Sequence, residues 1–373
     1  MEKLLNSAAI QGALAERGIT QKQLASAVGT SSQAVTNWLK GKDFPRPASL
    51  LKLATTLGLT FDQLVQTSDI GRPIIAYRKK ANAKTTDAHI AKAEGIGMLL
   101  KPLIVHLPEL QVLRTLITSP STEYDKLQLI VSQTRVRLGI GEQAELEYSH
   151  LISEFRECGA VLVPVLWGAK GNHENAVHIR LPQEDVTFIF LNLDTHLEDF
   201  KFWMAHELAH VLTPGLSGKN EGEDFADAFA GALLYPKACV EQAYREITRQ
   251  SYDGAIKVLQ KQASTHMISL NTVFQQIQMY ARANRLTTLP IEETTIHVLR
   301  NSLRGPLVSA TMFDPMPPSP QLYIAACEKI FQTGFFHALK RMIHSSGTGA
   351  PYIQQVLDTP LQDAMALHEE LQR

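Results

Sequence analysis

The sequence predicts a multidomain chain: an all-α helix-turn-helix domain, then an α+β domain, then a mainly helical C-terminal region. Three observations carry that reading. Residues 1–70 hold short helical segments punctuated by Ser/Thr starts and glycine stops. Residues 71–240 mix helical segments with short β-prone runs and contain His206-Glu207-Leu208-Ala209-His210. Residues 241–373 read as helices broken by proline-rich stretches.

A chain of 373 residues is longer than one ordinary domain and can bury a sizeable core. Hydrophobic residues make up 45% and charged residues 20%, the composition of a soluble globular protein. The longest apolar run, Gly159 to Trp167, is too short to span a bilayer, and the polar start Met1-Glu2-Lys3 is unlike a secretory signal. A cytoplasmic protein with no membrane partner is expected. Cys158, Cys239 and Cys327 have no zinc or redox spacing and read as buried small apolar residues in a reducing compartment. Charge is uneven: residues 1–101 carry 14 Lys or Arg against 7 Asp or Glu, a net +7, which leaves −8 on the rest. A polyanionic partner suits the first part.

Local pattern sharpens that hint. A first helix ends at Gly18, Thr20-Gln21-Lys22-Gln23 opens a second as a capping box, and Gly29 makes a tight turn. Ser31 or Thr30 caps a third helix, Ser32 to Lys40, with Ala34, Val35 and Trp38 inward and Gly41 ending it. This is helix-turn-helix spacing. Ser32, Gln33, Thr36 and Asn37 then lie on the exposed side, short polar groups suited to base edges in a major groove. Gln21, Lys40 and Lys42 are placed to hold phosphates. Helices at about Ser49–Leu57 and Phe61–Val65 close the core through Leu50, Leu53, Leu57, Leu59 and Leu64.

Over residues 8–67 the chain resembles the phage-repressor, or Xre/Cro, helix-turn-helix domain. The resemblance runs through "TQKQLASAVGTSSQAVTNWLKGKDFPRPASLLKLATTLGLTFDQL". It implies binding of a double-stranded DNA operator by a symmetric homodimer, with Gln33 and Asn37 at base-contacting positions.

His206 and His210 are four residues apart, so a helix places both imidazoles on one side while Glu207 points to where a bound water would sit. Phe200, Met204, Leu208 and Val211 form a separate apolar stripe. Thr195 to Glu198 reads as the capping box that opens this helix and Thr213-Pro214-Gly215 as its stop. A zinc hydrolase needs a third protein ligand and leaves a fourth position for water. Glu223, on the next helix, is the expected third ligand, although it could instead complete a helix cap after Asn220 and leave ligation to Glu221 or Asp224. Asp227, one turn on, is placed to fix the tautomer of a ligating imidazole. No third His follows His210 at the metzincin interval. Glu207 is then the general base and Zn2+ the cofactor. An oxyanion partner is not identified: His173, His178, His196, Tyr235 and His266 are all candidates.

Around this motif, Pro73 to Tyr77 reads as a strand within a basic stretch that includes Arg72, Arg78, Lys79, Lys80 and Lys84, followed by a connecting helix. Thr122 to Cys158 reads as helical, and Val161–Trp167, Ala176–Arg180 and Val186–Leu191 as strands. The last of these precedes the His206 helix, so its edge is expected to align an extended substrate peptide.

Residues 75–240 resemble the ImmA/IrrE type of zinc metallopeptidase, through "VRLGI…LISEFRECGAVLV", "TFIFLNLDT", "FWMAHELAHVL" and "EDFADAFAGALLYP". The resemblance implies a zincin-like metallopeptidase domain with His206, His210 and Glu223 as ligands and Glu207 as base. Ala209 stands where the family most often has Gly. Such proteins typically cleave or control a helix-turn-helix repressor. Together the two resemblances suggest a DNA-binding zinc endopeptidase acting on a regulatory protein. The alternatives are a toxin-antitoxin or antiphage component that regulates its own operon, and a transcription factor using a non-catalytic peptidase fold as a sensor. In the C-terminal region, "MFDPMPPSP" separates helical segments, and Phe331, Phe335 and Phe336 read as packing residues.

Overall fold

The computed structural model describes residues 3–40, 42–67, 72–76, 87–108, 116–168 and 175–373. Gly41, Tyr77, Arg78, Lys79, Lys80, Lys84 and His173 lie outside the described residues. The chain divides into two compact units, Met1–Arg72 and Pro73–Arg373.

The first unit is built from β1 (Lys3–Leu5), α1 (Ser7–Arg17), α2 (Gln21–Val28), α3 (Ser32–Leu39), α4 (Pro47–Leu57), α5 (Phe61–Leu64) and β2 (Val65–Thr67). Its helices begin where short polar side chains take up orphan amides. Thr20 and Gln23 form the reciprocal capping box, and Ser31, rather than Thr30, accepts from the Ala34 amide at 3.1 Å. Gly29 joins α2 to α3 at φ 76°, a left-handed conformation that glycine adopts without steric cost. Leu24, Val35, Trp38, Leu53, Leu57 and Leu64 fill the core, with Ala34, Leu50 and Leu59 at its margin. The sequence had not suggested β1 and β2, which pair antiparallel with Leu5 opposite Val65 and so tie the two ends of the unit together.

The second unit opens with β3 (Ile74–Ala76) and α6 (Asp87–Leu100). The expected helical stretch up to Cys158 is two helices, α7 (Tyr124–Arg137) and α8 (Tyr148–Glu157), parted by a turn at Gly139, φ 70°. Then come β4 (Ala160–Val165), β5 (Ala176–Leu181), β6 (Val186–Asn192), α9 (Leu197–Leu212) and α10 (Asn220–Leu234). Nine further helices complete it: α11 (Lys237–Ile247), α12 (Tyr252–His266), α13 (Leu270–Ala283), α14 (Glu293–Ser302), α15 (Val308–Met312), α16 (Pro320–Phe331), α17 (Phe335–Ser346), α18 (Ala350–Leu357) and α19 (Leu361–Gln372).

The sheet order is β3-β5-β6-β4, with β4 parallel to β6 and the other pairs antiparallel. This overturns one expectation. β6, the strand before the His206 helix, is flanked by β5 and β4 and has no edge to offer a peptide. A second difference concerns the expected boundary at residue 240. One hydrophobic core runs from Ala93 to Leu371 and takes in Phe331, Phe335 and Phe336, so residues 241–373 pack into the same body as the sheet. Cys158, Cys239 and Cys327 are buried and unbridged, and burial pushes each thiol up. Among the described residues no helix is long and apolar enough to cross a membrane.

Candidate metal centre and nucleic-acid face

The His206 helix α9 is buried on nearly every side, since Phe200, Met204, Ala205, Leu208, Ala209 and Leu212 all enter the core. Its start differs from the expected capping box. His196, not Thr195, is the cap residue, and its ring meets the Gly305 carbonyl rather than a helix amide, while Glu198 accepts from the Gly305 amide at 3.2 Å. Residues far along the chain supply what the local sequence does not: the Leu197 amide donates to the Pro306 carbonyl at 3.1 Å, and Arg300 pairs with Asp199 at 2.5 Å. Deeper along the helix, Lys201 is fully buried and its ammonium donates to Glu145 at 2.6 Å and to the His266 carbonyl at 2.8 Å. These contacts fix how far α9 is rotated and therefore where its imidazoles point.

Helix α10 brings the carboxylates. Its cap residue is Lys219, with no side-chain cap bond, and Glu221 and Asp224 are exposed, so Glu223 is not spent as a cap. Gly222 makes the approach possible: a Cβ there would stand 2.4 Å from the Leu216 carbonyl oxygen, closer than atoms can come. The one sequence signal for this role of Gly222 is its place immediately before the carboxylate in a first helical turn.

The resulting geometry is compact. The Nε2 atoms of His206 and His210 are 3.2 Å apart, and Glu223 oxygens lie 3.5 Å from the first and 3.3 Å from the second. Among the described residues these three form a group able to hold a metal ion. Atoms bound tetrahedrally at about 2.0–2.1 Å would be separated by about 3.3 Å, the edge of that tetrahedron. The observed spacings fit it. Asp227 accepts from His206 Nδ1 at 2.9 Å, which turns Nε2 of that ring toward the group.

Two fillings satisfy such convergent atoms. Burial alone would depress His206, but bonds to Asp227 and Glu223 raise it to about 9, so one filling is a proton shared toward Glu223. A divalent cation is the other, taking a lone pair from each imidazole and an oxygen from Glu223; burial keeps the His210 ring neutral, the form that ligates. Glu223 stays ionised: burial would raise it, but the two imidazoles hold it down at about 2. Glu207 is 3% exposed, its Oε2 has no hydrogen-bond partner among the described residues, and burial pushes its carboxyl up to about 8 against the pull of His206.

Of the four oxyanion candidates among the described residues, only His178 stands at this site. It projects from β5, is fully buried, and its Nδ1 is 3.7 Å from Glu207 Oε2; burial and the nearby His210 hold it well below its usual range, hence neutral. His196 meets the Gly305 carbonyl at 2.6 Å, Tyr235 contacts Gln262 at 3.2 Å, and the His266 ring packs edge-on against Tyr235.

In the first unit, α3 presents the expected polar side. Ser32 and Gln33 are exposed, and Thr36 and Asn37 half-buried. Gln33 Nε2 donates to Asn37 Oδ1 at 3.1 Å, which aligns the two amides as one polar edge, while Thr36 turns back to the Ser32 carbonyl at 2.9 Å. Gln21, Lys40 and Lys42 are exposed.

Residues 10–64 match the helix-turn-helix family. The match covers α2, the Gly29 turn and α3, so this chain carries a helix-turn-helix domain and is a DNA-binding regulator in that part. No curated protein matches the chain.

Proposed function

We propose that this helix-turn-helix regulator is also a zinc-dependent endopeptidase that cleaves a regulatory protein such as a helix-turn-helix repressor. The supporting observation is the convergence of His206 Nε2, His210 Nε2 and the two Glu223 carboxylate oxygens at 3.2–3.5 Å, backed by Asp227 on His206 and with Glu207 alongside. Bound zinc would supply Lewis acidity toward a peptide carbonyl and an acidified water. Glu207 takes up the proton at Oε2 and returns it to the leaving amine; its buried setting raises its proton affinity toward that of an effective base at neutral pH. Neutral His178 offers a ring N–H toward charge developing on the attacked carbonyl. The segments Leu193–Thr195 and Gly305–Ser309, bonded to one another, keep the start of α9 in place.

The burial of the centre also favours a second reading, a non-catalytic sensor built on a peptidase fold, and one experiment separates the two. Purified full-length protein is expected to hold close to one zinc per chain. Glu207→Gln is expected to keep that metal and to lose cleavage of a co-expressed repressor by about 10²–10⁴-fold. Cleavage persisting in Glu207→Gln would remove the base assignment. Zinc retained with no cleavage by the parent chain would favour the sensor, and absent zinc would defeat the metal centre itself.

A further inference from the structure

A metal centre that cuts proteins has to meet an extended stretch of substrate backbone, and extended backbone is best received by adding to a sheet edge. Yet the imidazoles here are shut in: His206 and His210 are 1% exposed and His178 not at all, so solvent meets the group only on the carboxylate side, at Glu223 and Asp227. The sheet has two borders. On β4, the carbonyls of Leu162 and Pro164 each accept a hydroxyl at 2.5 Å, from Thr333 and Tyr323, so α16 and the residues before α17 seal that side. On the other side, β5 is the strand that carries His178 to the metal helix, and its outer edge is occupied by β3.

β3 sits there in a definite register. Ala76 is opposite His178, Ile75 opposite Ile179 and Ile74 opposite Arg180. Opposed residues share a face, so Ile74 and Ala76 lie on the side of His178 while Ile75 lies with Ile179 on the side of α6, where Ile179 also meets Gly97. The first face leads to the loop between α9 and α10: Arg180 donates to the Pro214 carbonyl, and Ile74 Cγ2 would be 3.4 Å from a Cβ on Gly218. β3 therefore fills the strip between the His178 strand and the loop that delivers Glu223.

We propose that β3 is a built-in pseudosubstrate. It occupies the β5 edge on which an extended substrate segment pairs antiparallel, and cleavage requires β3 to leave. The inference rests on the endopeptidase reading above and deepens it. Substrates are extended segments resembling the strand they replace, with a small residue opposite His178 and a branched aliphatic residue two positions before it, as in Ile74-Ile75-Ala76. A strand of three residues with Ile74 and Ile75 only half-buried is readily displaced. It also follows at once on the helix-turn-helix unit, which ends at Arg72, so an event in that unit has a short covalent route to the strand.

The test is a reversible lock in the full-length chain, Ile75→Cys with Ile179→Cys. Directly opposed antiparallel positions have Cα atoms about 4.5–5.5 Å apart, within disulfide range. The native thiols are buried and raised, so they do not compete. Two rates are compared before and after reduction with a phosphine: transfer of zinc to a chromogenic chelator, and cleavage of a synthetic peptide containing Ile-Ile-Ala in extended flanks. The oxidised form is expected to release zinc at least tenfold more slowly than the reduced form and to cleave no peptide, with both rates recovered on reduction. Equal zinc release and equal cleavage in the two forms would overturn the pseudosubstrate while leaving the peptidase standing. If zinc binds and neither form cleaves, the release rates still decide whether β3 covers the centre. A protein that binds no zinc in either form would defeat the peptidase reading, and this one with it.

Discussion

Most helices of the first unit and the two that carry the candidate metal ligands begin by different means. In the helix-turn-helix unit, Asn6, Thr20, Ser31 and Thr60 each cap the helix that follows with their own side chains, and Gly18, Gly29 and Gly58 end α1, α2 and α4. In the larger unit, α9, α10 and α11 have no side-chain cap, and α9 is met instead by the backbone of Gly305 and Pro306, roughly a hundred residues away. The first unit is specified within windows of a few residues. The orientation of His206 and His210 is specified by residues that no local window contains. A change near residue 305 therefore acts on the His206–His210–Glu223 group, whereas a cap change in the first unit stays at home.

That contrast can be broken by substitution. The largest effect is expected from Glu145→Ala, which strips the fully buried Lys201 ammonium of its carboxylate. A loss of about 1.5–3 kcal/mol is expected in the unfolding of the larger unit, followed by calorimetry, with the transition of the smaller unit unmoved. Coupled loss in both would show that the units are not independent. Next, Gln33→Ala or Asn37→Ala should each cost about 1–3 kcal/mol of preference for the operator over a random duplex at fixed salt. A uniform loss across all sequences would instead reduce α3 to a structural role. Asp227→Ala frees His206 Nδ1 and is expected to weaken zinc about 10–100-fold in a chelator competition, without loss of stability in the smaller unit. Unchanged affinity would detach Asp227 from the centre. The smallest is Thr20→Ala, about 1 kcal/mol, confined to the smaller unit's melting.

The same contrast explains what could be read from sequence. The caps, the glycine stops and the apolar positions of α1 to α5 were legible because each signal and its effect are three or four residues apart. His206, Glu207 and His210 were legible because their spacing matches a helical turn, and Glu223 and Asp227 because they share the next helix. The start of α9 falls one residue later than its local pattern suggests, because the backbone of Gly305 and Pro306 holds His196, Leu197 and Glu198. The peptide-receiving edge was misplaced because strand order cannot be read from strand sequence: β6 looked like a border strand, yet β5 and β4 enclose it. Nor did the segment after residue 240 carry a sign that Tyr323 and Thr333 would reach back to β4, since a lone hydroxyl on an amphipathic helix has no distinctive pattern.

Those two hydroxyls have a wider consequence. With Leu162 and Pro164 already satisfied, the β4 rim cannot zip onto another molecule, so the chain is guarded on that flank against runaway stacking of the kind that ends in insoluble aggregates. The opposite rim has no such permanent guard once Ile74 to Ala76 depart. A molecule in that condition is short-lived in crowded surroundings: it captures a fitting segment, takes its own strand back, or sticks to a neighbour.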